Sequence, residues 1–145
     1  MSRTGVAAAL LCIASLVTSG CGSRYPAETY SVKGRVVFPD GKPLEGGNIE
    51  FAPQDGAVKT SARGTIDADG RFTLTTFEEG DGAIPGKHRV LILPARRRED
   101  RSGRTSINLD GRYQSFESSG LEFTVTDDPS QNDFEIKVTP AGGRR

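Results

Sequence analysis

Seven short segments of the chain show the side-chain pattern of β-strands. Apolar residues recur at every second position, as at Val32, Val36 and Phe38 or at Phe72 and Leu74. This period of two predicts strands with one buried face. Turn-forming Gly, Pro, Asn and Asp residues separate the segments. They span residues 30–38, 48–53, 62–67, 71–76, 87–94, 121–126 and 134–139.

The pairing of these segments follows from what joins them. Segments 62–67 and 71–76 flank a tight turn and predict a hairpin, and segments 121–126 and 134–139 predict a second, closing hairpin. Segment 87–94 is apolar on both faces, which is typical of a central strand. Because no long helical period interrupts the strands, the sequence predicts an all-β fold, an antiparallel two-sheet sandwich of about seven strands.

The first 21 residues have a different pattern. Arg3 provides a positive charge, and an uncharged apolar run of 12 residues follows at 6–17. Such a run is shorter than the roughly 20 residues that span a bilayer. We therefore predict a signal peptide over 1–20, with cleavage between Gly20 and Cys21.

The end of this run, Ser19-Gly20-Cys21, resembles the bacterial lipoprotein signal, although Thr18 stands where that family most often has Leu. The resemblance implies a diacylglyceryl group on the sulfur of Cys21, cleavage after Gly20 and acylation, for example with palmitate, of the new amino group. Two or more acyl chains hold a protein stably on a membrane. The implied partner is a lipid bilayer, and the implied location is the cell envelope, at a periplasmic or surface face. A generic secretory cleavage that leaves an ordinary thiol at Cys21 is the alternative.

The domain boundaries follow from these two patterns. We predict a lipidated tether at 21–29, a sandwich domain at 30–140 and a disordered tail at 141–145. Cys12 lies in the predicted leader, so the mature chain would carry Cys21 alone and would form no internal disulfide. Its core would depend on packing.

Four turn and strand motifs carry a second resemblance: VKGRV at 32–36, DGKPLEGGNI at 40–49, TIDADGRFTL at 65–74 and PGKHRV at 85–90. Together they resemble the carboxypeptidase regulatory-like domain, a transthyretin-type or prealbumin-like β-sandwich. With the lipoprotein signal, the whole chain is similar to small lipoproteins of planctomycete-like bacteria. The resemblance implies an accessory module without catalytic residues.

Charge narrows the range of partners. The chain has 19 Lys and Arg residues against 19 Asp and Glu residues, and this balance argues against nucleic-acid binding. Five arginines nevertheless cluster between two predicted strands. They could bind phosphate or sulfate groups through their guanidinium forks, or they could form a solvated loop. They are Arg96, Arg97, Arg98, Arg101 and Arg104.

Other candidate chemistry is sparse. His88 is the only histidine, and we predict that it is exposed at a strand entrance. A hydrolase centred on it would need a Ser or Asp side chain within hydrogen-bond reach. The carboxylates of Asp67 and Asp69 are predicted to shape a turn, and the acidic loop 78–81 is predicted to be a solvated turn more than a weak cation site. We expect no metal, no cofactor and no enzymatic activity.

These observations favour a membrane-anchored envelope lipoprotein that acts as a non-catalytic binding or scaffolding module for a protein or a polysaccharide. The alternative is a small-ligand carrier that uses a transthyretin-like pocket or dimer groove. A concave apolar pocket would favour the carrier, and a filled core would favour the scaffold.

Overall fold

The structure, a computed structural model, describes residues 24–95 and 109–142. Seven β-strands form within these ranges: β1 (Lys33–Val37), β2 (Gly47–Pro53), β3 (Ala62–Ile66), β4 (Arg71–Thr73), β5 (Gly86–Pro94), β6 (Leu121–Val125) and β7 (Asp133–Lys137). Two short 3-10 helices, at Gly111–Gln114 and Pro129–Gln131, lie in the connections. The number and positions of the strands agree with the alternation in the sequence.

The strands form two sheets that pack face to face. One sheet has the order β4-β1-β7 and the other the order β3-β2-β5-β6. The inward positions of both sheets are mostly apolar and buried, and this satisfies the period-two pattern. The predicted all-β two-sheet fold is therefore confirmed.

An aromatic cluster connects the core of the two sheets. The ring of Phe51, on β2, lies 6.2 Å from Phe72 and 5.9 Å from Phe123, measured between ring centroids. Phe134 lies 6.2 Å from Phe51 and 5.0 Å from Phe123. Because β6 carries Phe123 and β7 carries Phe134, these rings join the two sheets.

The predicted closing hairpin of the last two strands is wrong. β6 pairs with β5 in the four-stranded sheet, whereas β7 pairs in parallel with β1 in the three-stranded sheet. Residues 126–132, with their 3-10 turn, carry the chain from one sheet to the other. Alternation shows only that each strand buries one face. Two such faces can meet across the core as well as side by side in one sheet.

The predicted hairpin around residues 67–70 is only partly correct. Backbone hydrogen bonds of 2.8 Å join Arg63 and Thr75 in both directions, and Asp67 N–H donates to the Arg71 carbonyl at 2.9 Å. However, β3 belongs to one sheet through β2, and β4 belongs to the other through β1. The hairpin therefore bridges the two sheets.

β5 is an internal strand, as predicted, with β2 on one side and β6 on the other. Val90 and Ile92 point into the core and have no exposed surface. On the outer face, Leu91 is partly buried and Leu93 remains 42% exposed. The apolar outer face of β5 is therefore part of the protein surface and is not buried in the core.

Candidate functional site

The residues predicted for signal cleavage, lipidation and anion binding lie outside the described ranges. Gly20 and Cys21 precede residue 24. All five clustered arginines, at 96, 97, 98, 101 and 104, fall between Ala95 and Leu109. Lipidation and anion binding at these positions stay predictions.

His88 is not exposed, and this prediction was wrong. Its side chain lies on the inward face of β5, is fully buried and lies 6.0 Å from the Phe51 ring. Its Nε2 is 2.7 Å from the carbonyl oxygen of Ile84, so Nε2–H donates to that oxygen. Within the part of the chain that the structure describes, its Nδ1 has no hydrogen-bond partner. Among those residues, no Ser or Asp side chain therefore holds this imidazole in a triad.

The acidic turns use their carboxylates to order the backbone. The Asp67 Oδ1 atom accepts hydrogen bonds from the N–H groups of Asp69, at 2.9 Å, and Arg71, at 2.8 Å. This is the predicted turn. Among residues 24–95 and 109–142, no three His, Cys, Asp or Glu side chains are grouped so that they could hold a metal ion.

Asp81 organises the loop between β4 and β5. Its carboxylate accepts hydrogen bonds from the N–H groups of Thr76, Phe77 and Glu78, at 2.7, 3.0 and 3.1 Å. Partial burial acts to raise the pKa of Asp81, but these hydrogen bonds outweigh burial and hold its pKa below the ordinary value. Asp81 is thus a structural carboxylate.

The N-terminal segment, residues 24–31, lies against this loop, and we call it the strap. The Tyr25 ring stacks on Phe77 with centroids 4.9 Å apart and an interplanar angle of 3°. The Tyr25 hydroxyl donates to Glu78 Oε1 at 2.7 Å, and this hydrogen bond is the main cause of a raised Tyr25 pKa. Further along the strap, backbone hydrogen bonds join Tyr30 and Ala83 in both directions. The strap is therefore held on the domain.

A solvent-open groove of about 1000 Å³ lies along the edge strand β3. The outer face of β2 and β5 forms one wall, and β4 with the following loop forms the other. Polar and charged side chains predominate in its lining: Asn48, Glu50, Arg63, Thr65, Asp67, Arg71, Thr73, Thr75 and Glu79, together with Leu91 and Leu93.

Cross-strand register sets the chemistry of the groove. Leu91, Glu50 and Arg63 form one row across β5, β2 and β3. Arg63 forms an ion pair with Glu50, with Nε 3.2 Å from Oε2 and Nη2 3.3 Å from Oε1. In the next row, Leu93 lies opposite Asn48. The groove thus offers a forked ion pair beside an exposed apolar side chain.

Gly64 permits the close approach that shapes the groove. A Cβ atom at this position would lie 2.6 Å from the Thr73 carbonyl oxygen and 3.3 Å from Leu74 Cδ2. Any larger residue would push β4 away from β3. Neither the groove nor the strap was predicted from the sequence, since no local pattern relates β3 to β5 or residue 25 to residue 77.

In the described ranges, no helix has the length and apolar character to cross a bilayer. No family model matches the chain, and no curated protein matches it. Among solved structures, the chain is similar to a 9R-lipoxygenase from Cyanothece PCC8801, at 16% identity and a TM-score of 0.38. The match covers 79% of this chain and 16% of that chain.

The comparison contradicts one expectation from the sequence. We expected no enzymatic activity, and the similar structure is that of an enzyme. We therefore withdraw the statement that the chain is non-catalytic. At this identity and TM-score, the similarity carries no argument for lipoxygenase chemistry in this chain.

Proposed function

We propose that the chain is an envelope lipoprotein, anchored through acylated Cys21, whose sandwich domain binds an envelope protein or polysaccharide. The lipid anchor is supported by the sequence Ser19-Gly20-Cys21 after a short apolar run. The assignment to the carboxypeptidase regulatory-like, transthyretin-type group is supported by its four motifs and is compatible with the two-sheet fold.

The groove along β3 is the observation that carries the binding proposal. It is open to solvent and combines polar and charged side chains with apolar surface, which suits an extended chain such as a peptide or a glycan. Leu93, 42% exposed, adds apolar surface that a bound chain would cover.

The small-ligand carrier receives less support from this geometry. Sites for small molecules enclose most of the ligand surface. The groove is open, and charged side chains such as Glu50, Arg63 and Arg71 line it. We therefore do not extend the proposal to a carrier.

The anchor is tested by Cys21→Ser. We expect the variant to leave the membrane fraction, since removal of the sulfur removes the site of thioether attachment. Fractionation after a high-salt wash, with mass spectrometry of the N-terminus, provides the measurement. A Cys21→Ser protein that still sediments with membranes would contradict the anchor.

The groove is tested by photo-crosslinking from position 93 in intact cells, followed by binding measurements with the purified partner. Arg63→Ala should weaken binding about tenfold if the guanidinium is an interface anchor. Lys137→Ala is the matched control, because Lys137 also lies in an exposed ion pair, 3.6 Å from Glu135, but on the other sheet. Equal effects of the two variants would remove the groove from the proposal.

A further inference from the structure

The strap determines how far the sandwich can stand from its attachment point. Only Gly22, Ser23 and Arg24 separate Cys21 from Tyr25. At 3.3–3.6 Å per residue, the Cα atoms of Cys21 and Tyr25 can be at most roughly 14 Å apart. This step rests on the proposed lipid anchor at Cys21. With Tyr25 stacked on Phe77, the 75–85 loop must therefore lie close to the bilayer surface.

The strap and three loops, one of them the 75–85 loop, lie at the same end of the sandwich. Tyr30 pairs with Ala83 in the 75–85 loop, and Thr75 of that loop pairs with Arg63 beside the 54–61 loop. The N–H of Lys33 donates to the carbonyl of Asn132, which closes the 126–132 loop. The strap and the loops 54–61, 75–85 and 126–132 therefore lie at one end, which we call the strap end.

The turn 67–70 lies at the opposite end. Its Gly70 carbonyl accepts from the N–H of Val36, near the end of β1, and its Asp67 carbonyl accepts from the N–H of Gly46. β3 connects the two ends and, with five residues, is about 17 Å long. The groove, which follows β3, would then stand roughly upright on the membrane.

The acidic charge of the strap end indicates the charge of the lipid surface that this end could approach. The strap and the three loops contain seven acidic residues and two basic ones. An anionic bilayer would repel this end at low ionic strength, because charges within a Debye length are poorly screened.

We propose that the docked strap fixes the orientation of the sandwich, with the strap end against a lipid surface of low negative charge and the 67–70 turn directed away. Stacking of Tyr25 on Phe77 is the contact that maintains this orientation. When Tyr25 is released, the next side-chain hydrogen bond from the strap to the 75–85 loop among the described residues is Thr29 to Asp81, at 3.3 Å. The free chain from Cys21 to Thr29 would then reach roughly 28 Å, and the orientation would be lost.

The chain offers a matched pair of label positions. Ala57 in the 54–61 loop and Ala68 in the 67–70 turn are both exposed, and they lie at opposite ends of β3. In the mature lipidated protein the single cysteine carries the lipid, so Ala57→Cys or Ala68→Cys supplies the only free thiol for a fluorophore. The probe is a short-range quencher on the headgroups of phosphatidylcholine vesicles.

We expect stronger quenching at position 57 than at position 68, and loss of this difference in Tyr25→Ala. Tyr25→Phe is the matched control, because it retains the stacked ring and removes only the hydroxyl that donates to Glu78. It should preserve most of the difference. Equal quenching at both positions in vesicle-bound protein would overturn the orientation, and an unchanged difference in Tyr25→Ala would overturn the role of Tyr25.

Lipid composition gives a second readout. Phosphatidylglycerol in the vesicles should reduce the difference at low salt, and added salt should restore it. A difference that is insensitive to phosphatidylglycerol would overturn the preference for a weakly charged surface. Co-sedimentation of the same samples separates the two proposals, because protein that stays with the vesicles retains its anchor whatever its orientation. Loss of co-sedimentation would instead overturn the lipid anchor and, with it, the premise of the orientation.

Discussion

The two long sides of the sandwich are closed in different ways. On the β3/β4 side, backbone hydrogen bonds join the two sheets through Arg63 and Thr75. On the β6/β7 side, the described contacts between the sheets are made by side chains. Phe123 and Phe134 pack at 5.0 Å, and the Asn132 amide bonds to the backbone of Thr126.

The two kinds of contact between the sheets, backbone hydrogen bonds and side-chain packing, constrain the neighbouring strands differently. Backbone bonds fix β3 and β4 at close range, and that contact creates the groove beside them. On the other side, β7 forms no hairpin with β6 and pairs in parallel with β1. We therefore expect the β3/β4 side to respond to backbone crowding and the β6/β7 side to loss of side chains.

The largest expected effect compares one phenylalanine from each side. Phe72 is 4% exposed, whereas Phe134 is only partly buried. Phe72→Ala should cost about 3–5 kcal/mol of unfolding free energy, because the core cannot fill the space. Phe134→Ala should cost less, since its ring already has partial solvent access. Urea unfolding of both variants gives the measurement, and equal losses would contradict the ranking.

Asn132 tests the β6/β7 side directly. Its Oδ1 accepts from Thr126 N–H and its Nδ2 donates to the Thr126 carbonyl, both at 2.9 Å, and its side chain is fully buried. Asn132→Ala leaves these backbone groups without partners and should cost about 1–3 kcal/mol for each group that stays dry. Hydrogen exchange at Thr126 should rise. An unchanged exchange rate would show that the backbone finds other partners.

Gly64 tests the β3/β4 side. Gly64→Ala would place Cβ 2.6 Å from the Thr73 carbonyl and should cost about 1–3 kcal/mol through overpacking. Gly111→Ala is the control, because the nearest atom to its added Cβ is a side-chain nitrogen of Gln114 at 3.9 Å. Thermal unfolding should separate the two variants. Similar melting temperatures would mean that β4 moves away without cost.

The smallest effect concerns Asp81 at the end of the β3/β4 side. Its pKa in the folded protein lies below the ordinary value of 3.8, so its contribution to stability is present above pH 3.8 and is lost as the pH falls through the folded pKa. Asp81→Asn should therefore show a weaker loss of stability in acid than the unsubstituted chain. Denaturant midpoints measured between pH 6 and pH 2 check this, and parallel curves would contradict it.

Local pattern correctly predicted the elements that depend on a single strand or turn. The strand around Phe72 and the Asp67 turn were readable because the relevant atoms lie within a few residues. The partner of each strand was not readable in the same way. The burial of His88 was also missed, because its strand carries charged neighbours at Lys87 and Arg89 that suggested an exposed position.

The sequence by itself determined that this chain forms short amphipathic strands, which must bury one face each, and it determined the residues of the Asp67 turn. Only the tertiary structure decided that β7 joins β1 in parallel, that the β3/β4 arms lie in different sheets and that Tyr25 stacks on Phe77. Alternation specifies which face of a strand is buried, because hydrophobic burial is non-directional. Alternation does not specify which strand pairs with which, because that depends on backbone register and on contacts between residues distant in the chain.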